Sequence, residues 1–154
     1  MFRKALDLYE REKMGYIGRA LEAPTSREVA ERLLRGAVAL QTSSCEPRGC
    51  LSVISSVACG AEAQSIRQEV IVRGAASRQA LIDRMSRARD EGDLPAGTDV
   101  EGLTSMLLAI LMGMAVQAGN GATPDDLMRL VDTSLQAWPV APSPTGSAAA
   151  LARA

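Results

Sequence analysis

Cys45, Cys50 and Cys59 are the side chains of this sequence best suited to nucleophilic or metal chemistry. Their x4 and x8 spacing is not that of a zinc site, and no fourth ligand is evident. Histidine is absent, which removes the commonest general base and the commonest metal ligand together. A Ser–His or Cys–His nucleophile is therefore impossible. The carboxylates are scattered over polar helix faces, and no pair stands out for acid–base work. There is no glycine-rich phosphate loop. Cys45 and Cys50 flank the Pro47-Arg48-Gly49 turn, where a thiol sensor is the sharper reading. Buried, inert thiols are the simpler one, because the cysteines are odd in number and no secretion signal precedes them. The chain reads as a binding protein, not an enzyme, with no cofactor and no metal.

The feature that most needs a partner is the run LTSMLLAILMGMAVQA, Leu103 to Ala118, which contains no charge. A helix this apolar has almost no face left for water and must be covered on nearly every side. The chain has 154 residues, enough for one domain with a core of five or six helices. That core covers one or two sides of the helix; the rest implies a second subunit, a ligand or both. A membrane span is the weaker alternative, because the run is shorter than the roughly 20 residues needed and includes Thr104, Ser105 and Gln117. Formal net charge is -1, so no global basic field draws the chain to nucleic acid or anionic lipid. No signal peptide is seen, and a cytoplasmic location follows.

The elements that position this helix are also helical. Aromatics are only 3%, good helix formers dominate, and no stretch alternates apolar and polar residues over strand length. Phe2, Leu6, Tyr9, Lys13, Ile17 and Leu21 form a stripe of helical period, predicting a helix from the first residues to about Glu22. Pro24 ends it. Thr25 and Glu28 form a capping box, and the helix they start carries Val29, Leu33, Leu34, Ala37, Val38 and Leu40. Leu51 to Cys59 reads as a short buried helix, with a buried strand as the competing reading. Glu62 to Glu91 is the longest helix, with Arg84, Arg87 and Arg89 complementing its dipole and Gly92 as C-cap. Thr98 and Glu101 form a second box. Thr123, Pro124, Asp125 and Asp126 start the last helix, and its apolar face carries Leu127, Leu130, Val131, Ser134, Leu135 and Trp138. Residues 1–138 form the domain, and residues 139–154 read as a disordered tail.

The order of these elements resembles the C-terminal, ligand-sensing and dimerisation domain of TetR-family transcriptional repressors. The likeness is carried by Phe2-Arg3-Lys4-Ala5-Leu6 and Pro47-Arg48-Gly49-Cys50-Leu51. It continues through Arg87-Ala88-Arg89-Asp90-Glu91-Gly92-Asp93-Leu94, Asp99-Val100-Glu101-Gly102-Leu103 and Leu111-Met112-Gly113-Met114-Ala115. It covers about residues 1–138. It implies an all-α bundle whose last two helices pair with their two-fold mates in a four-helix bundle. The other helices would enclose a mostly apolar effector cavity. A complete family member has a helix-turn-helix domain ahead of the segment resembling Phe2–Tyr9. That domain is expected to be missing here, so no operator-binding residue is carried over, and DNA would be reached only through it.

Two surfaces follow. Met106, Ala109, Gly113 and Gln117 share one helix face, and Leu127, Leu130, Val131, Leu135 and Trp138 supply the neighbouring one. Together they are the expected homodimer interface. The expected effector site takes Leu103, Leu107, Ile110, Leu111 and Met114 from the opposite face of the apolar helix. Val53, Ile54 and Val57 join from the short segment, Leu34 and Val38 from the capped helix, and Tyr16 from the first. Tyr16, Thr104 or Ser55 would orient a mostly hydrophobic molecule. The competing reading is a helical dimerisation or adaptor module with no small-molecule ligand.

Overall fold

A computed structural model describes Lys4, Asp7, Leu8, Arg11 and residues 14–43 and 64–142 (65–67 by backbone only). These residues form five helices and, among themselves, no strand: α1 Gly15–Leu21, α2 Ser26–Gln41, α3 Gln64–Asp90, α4 Val100–Gly119 and α5 Pro124–Gln136. The all-α expectation holds. Phe2, Tyr9, Lys13, the three cysteines, the 51–59 segment and tail residues 143–154 lie outside the described residues.

The expected unbroken first helix is corrected at Met14, which stands at φ -99°, ψ 5° as the N-cap of α1 and offers no side-chain bond. Gly15 and Gly18 follow, and both weaken helix continuity. The α1–α2 connection is tight. Thr25 Oγ1 accepts from Glu28 N at 3.2 Å, so half of the expected box forms. Among the described residues no bond returns from Glu28 to Thr25. A distant residue completes the cap: Ser26 N donates to Asp93 Oδ2 at 2.6 Å.

α2 is the central helix and touches all four others. Val29, Ala30, Leu33, Leu34, Ala37 and Val38 are buried along it. They join Leu81, Met85 and Ala88 of α3, Leu107 and Met114 of α4, and Leu127 and Val131 of α5 in one core cluster. α3 ends as expected: Gly92 takes φ +81°, and Asp93 N and Leu94 N both donate to Ala88 O, at 2.9 and 3.2 Å. The turn buries Leu94 and aims Asp93 at α2.

α4 does not start with the expected Thr98–Glu101 box. Asp99 is its N-cap, and Oδ1 accepts from Gly102 N at 2.9 Å. A Cβ at Gly102 would lie 2.5 Å from Asp99 Oδ2, so the glycine leaves room for the carboxylate that displaces Thr98. α5 starts as expected, with Thr123 and Asp126 bonded reciprocally and Pro124 in the first turn. The Thr123 hydroxyl and amide, and then Arg129, hold the Asp126 carboxyl below its usual 3.8. A lowered native pKa contributes stability above the unfolded value, and the contribution is lost as pH falls through the native one. Asp126→Asn should therefore cost stability at pH 6, and the gap to wild type should close as pH drops below about 4. Parallel acid titrations of the two proteins would contradict this.

Trp138 lies two residues beyond α5, turned inward. Its Nε1 donates to Ser26 Oγ at 3.2 Å, and Ala141 N donates to Asp93 O at 3.3 Å. The start of α2, the α3–α4 turn and the segment after α5 are thus tied at one end of the bundle.

Candidate functional site

α4 has two apolar faces with different surroundings. Leu103, Thr104, Leu107, Met114, Ala115 and Ala118 are buried where the helix packs on α2 and α3. On the other side Met106 is 40% exposed, Met112 47% and Val116 52%. Ala109 and Gln117 are exposed as well, and Gly113 is half-buried. By length and composition this is the one described helix able to cross a membrane, with a mean hydropathy of 1.6. Its inner face, however, is spent on the bundle core.

Gly113 is the telling residue of the outer face. A Cβ built there meets nothing within 4 Å. A glycine inside a helix costs about 1 kcal/mol relative to alanine, and among the described residues nothing uses the space gained.

The α5 half of the expected interface needs correction. Leu127 and Val131 are fully enclosed, Leu135 and Trp138 are nearly so, and α5 packs chiefly on α2. A side chain with no free surface has none to offer a partner. Leu130, also expected at the interface, keeps accessible surface, as do Ser134 and Ala137.

The expected effector residues separate into groups. Leu34, Val38, Leu103, Leu107 and Met114 meet in the core cluster, with Ile110 and Leu111 packed at its edge. Leu107 and Met114 have no exposed surface, so no water-sized space adjoins them, and these side chains pack on one another. Val53, Ile54, Ser55 and Val57 fall outside the described residues.

Tyr16 stands apart from that group. It lines an open groove of about 710 Å³ with Arg19, Ala20, Glu28, Glu31, Arg32 and Arg35, which none of the other expected pocket residues borders. The groove is charged: Arg35 Nε donates to Glu31 Oε1 at 2.8 Å, and Nη2 reaches Asp132 Oδ1 at 3.2 Å. The Tyr16 ring lies flat on α2 at Gly36, where a Cβ would come within 2.4 Å of Cδ2. Gly36→Ala should therefore lower Tm despite the gain in helix propensity, because overpacking by one methyl costs about 1–3 kcal/mol. Gly74→Ala, exposed mid-α3 with nothing within 4 Å of the new Cβ, should raise stability by about 1 kcal/mol. Shifts of the same sign in thermal melts would refute the contrast.

Three polar residues escaped the sequence reading. Arg84, assigned to the α3 dipole, is buried instead. It donates to Leu21 O at 3.1 Å, Ala23 O at 2.7 Å and Pro24 O at 3.1 Å. Burial, then Arg87, lowers its pKa. The signal was its place among Leu81, Met85 and Ala88, on the apolar stripe of α3. Asp93 was read only as part of a turn. Gln41, the last residue of α2, is buried against α4, and its Nε2 donates to Leu111 O at 3.4 Å.

The family model described as the tetracyclin repressor-like C-terminal domain matches residues 30–133. The HTH-type transcriptional repressor ComR of Escherichia coli (strain K12) is 28% identical over 98 residues, which are 64% of this chain and 47% of that protein. The chain thus spans about half the length of this curated relative. Among solved structures, the TetR family transcriptional regulator CifR superposes with a TM-score of 0.83 at 35% identity. That match covers 90% of this chain and 73% of the other, a cysteine mutant complexed with 26-base-pair operator DNA. A TetR transcriptional regulator from Rhodococcus sp. RHA1 follows at a TM-score of 0.70 and 31% identity, covering 91% and 75%.

Proposed function

Because the chain belongs to the TetR family of transcriptional regulators, we propose that it is the effector-sensing and dimerisation part of a repressor. Two copies pair through the outer face of α4 and the accessible flank of α5. A mostly hydrophobic small molecule enters between α4 and α2. Its binding shifts the spacing of two helix-turn-helix units carried outside the matched region and so controls their hold on an operator. The chain acts in the cytoplasm and performs no catalytic step.

Gly113 carries the dimer half of this reading. It sits midway along the exposed stripe of Met106, Ala109, Met112 and Val116, where open space above a glycine suits a crossing helix. Support for the effector half is indirect: the ComR and CifR names describe regulators, and the inner face of α4 is apolar along its length. Thermal melts against a panel of mostly apolar small molecules test it, because a ligand bound only by the native state raises Tm. At least one compound should raise Tm progressively with its concentration, the native state gaining about 2.7 kcal/mol at a hundred times its Kd. A panel that leaves Tm unchanged, with the dimer intact, would favour the adaptor reading.

A further inference from the structure

Gln41, at the end of α2, and Thr104, on α4, carry buried polar atoms that no described residue bonds. Gln41 Oε1 and Thr104 Oγ1 are both buried without a hydrogen-bond partner. Their residues are 5% and 0% exposed. The Gln41 amide has a fixed sense: Nε2 donates to Leu111 O, and reversing it would set one carbonyl oxygen against another. Oε1 is therefore an unfilled acceptor. Thr104 is unusual among its neighbours. The hydroxyls of Ser105, Thr133 and Ser134 each donate to the carbonyl four residues back, whereas that of Thr104 does not. Leucine and valine would fill these positions without the desolvation cost.

Thr104 and Leu111 lie seven residues apart on one side of α4, about 10 Å along its axis, with Leu107 between them. This stretch of α4 is thus apolar in its middle and polar at two points. α4 itself carries no cation, and Arg27, Arg32 and Arg35 of α2 are exposed.

We propose that Gln41 and Thr104 are the polar readers of the effector site. They select a neutral, mostly apolar molecule that bears a hydroxyl or N–H donor. The donor reaches Gln41 Oε1, and Thr104 holds a second polar group. A carboxylate is disfavoured, because its oxygens would face the Gln41 lone pairs and lose their hydration in a buried apolar setting. Entry requires the last turn of α2, which ends at Gln41, to yield. The proposal rests on the effector-sensing reading and adds the chemistry of the ligand.

The test uses the full chain with 4-propylphenol and 4-propylanisole, which differ in the hydroxyl donor, in titration calorimetry. The phenol should bind wild type at least about tenfold more tightly. In Gln41→Leu and in Thr104→Val that preference should fall below about threefold with ether affinity retained, and Tm should rise by about 2–4 °C. Equal binding of the two probes, or a preference that survives Gln41→Leu, overturns the assignment while leaving an apolar effector site in place. Failure of both probes to bind overturns it as well; the effector-sensing reading is then decided by the wider panel. A fall in Tm in both variants would also overturn it, since the two groups would then be bonded within the fold.

Discussion

Gly113→Arg is expected to dissociate the dimer while leaving each protomer folded. The new side chain meets nothing within 4 Å of its Cβ in the isolated chain, and arginine is a better helix former than glycine. Protomer stability should therefore hold or improve. Across a two-fold contact the same side chain stands between two helices, and both copies carry it. Central interface positions commonly carry about 2–4 kcal/mol, so dimer dissociation should rise by roughly two to three orders of magnitude. Sedimentation velocity paired with circular dichroism reads both quantities. A variant that dimerises like wild type would move the interface off α4. A variant that unfolds would show that Gly113 serves the protomer.

The exposed apolar face of α4 was legible in the sequence because i, i+3, i+7 spacing fixes which residues share a side. Met106, Ala109, Gly113 and Gln117 lie together on the accessible side, as their spacing predicted. The same rule failed on α5 for a physical reason. Periodicity says that Leu127, Val131 and Leu135 share a face, but not whether that face meets its own chain or another. Here α2 claims it. Helix ends were legible where local chemistry alone decides them, as at Thr123 and Gly92. They were misjudged where a competing carboxylate lay one residue away, as at Asp99, or came from across the fold, as Asp93 does for Ser26. The polar atoms of the candidate site were the least legible. Gln41 lies at a helix end, where sequence reasoning expects solvent, and its burial follows from the way α4 crosses the end of α2.

Arg84→Ala is expected to cause the largest loss of stability among truncations of polar side chains on the described part of α3. The guanidinium satisfies three carbonyls of the α1–α2 connection, and two of these belong to residues after α1, where helix geometry supplies no donor. Removing it strands the buried Ala23 carbonyl at a cost of about 1–3 kcal/mol, and the part-buried Leu21 and Pro24 carbonyls at less. Part of that cost is offset, because the unpartnered Arg84 Nη1 is removed too. A net loss of about 3 kcal/mol corresponds to a drop of roughly 6–12 °C in Tm. Arg84→Lys should recover less than half, because an ammonium cannot span carbonyls arranged for a planar fork. A loss below about 1 kcal/mol would mean that the connection holds without the bridge. Arg84 fixes the end of α1 to α3, so under the proposed effector response a movement of α3 would carry α1 with it.

Sedimentation equilibrium of the unmodified chain at micromolar concentration bears most directly on the proposed assembly. The expected mass is twice the 16.2 kDa of one chain, with no dependence on salt, because the contact is apolar along α4. A mass of a single chain across the whole concentration range would contradict a dimer built on Gly113.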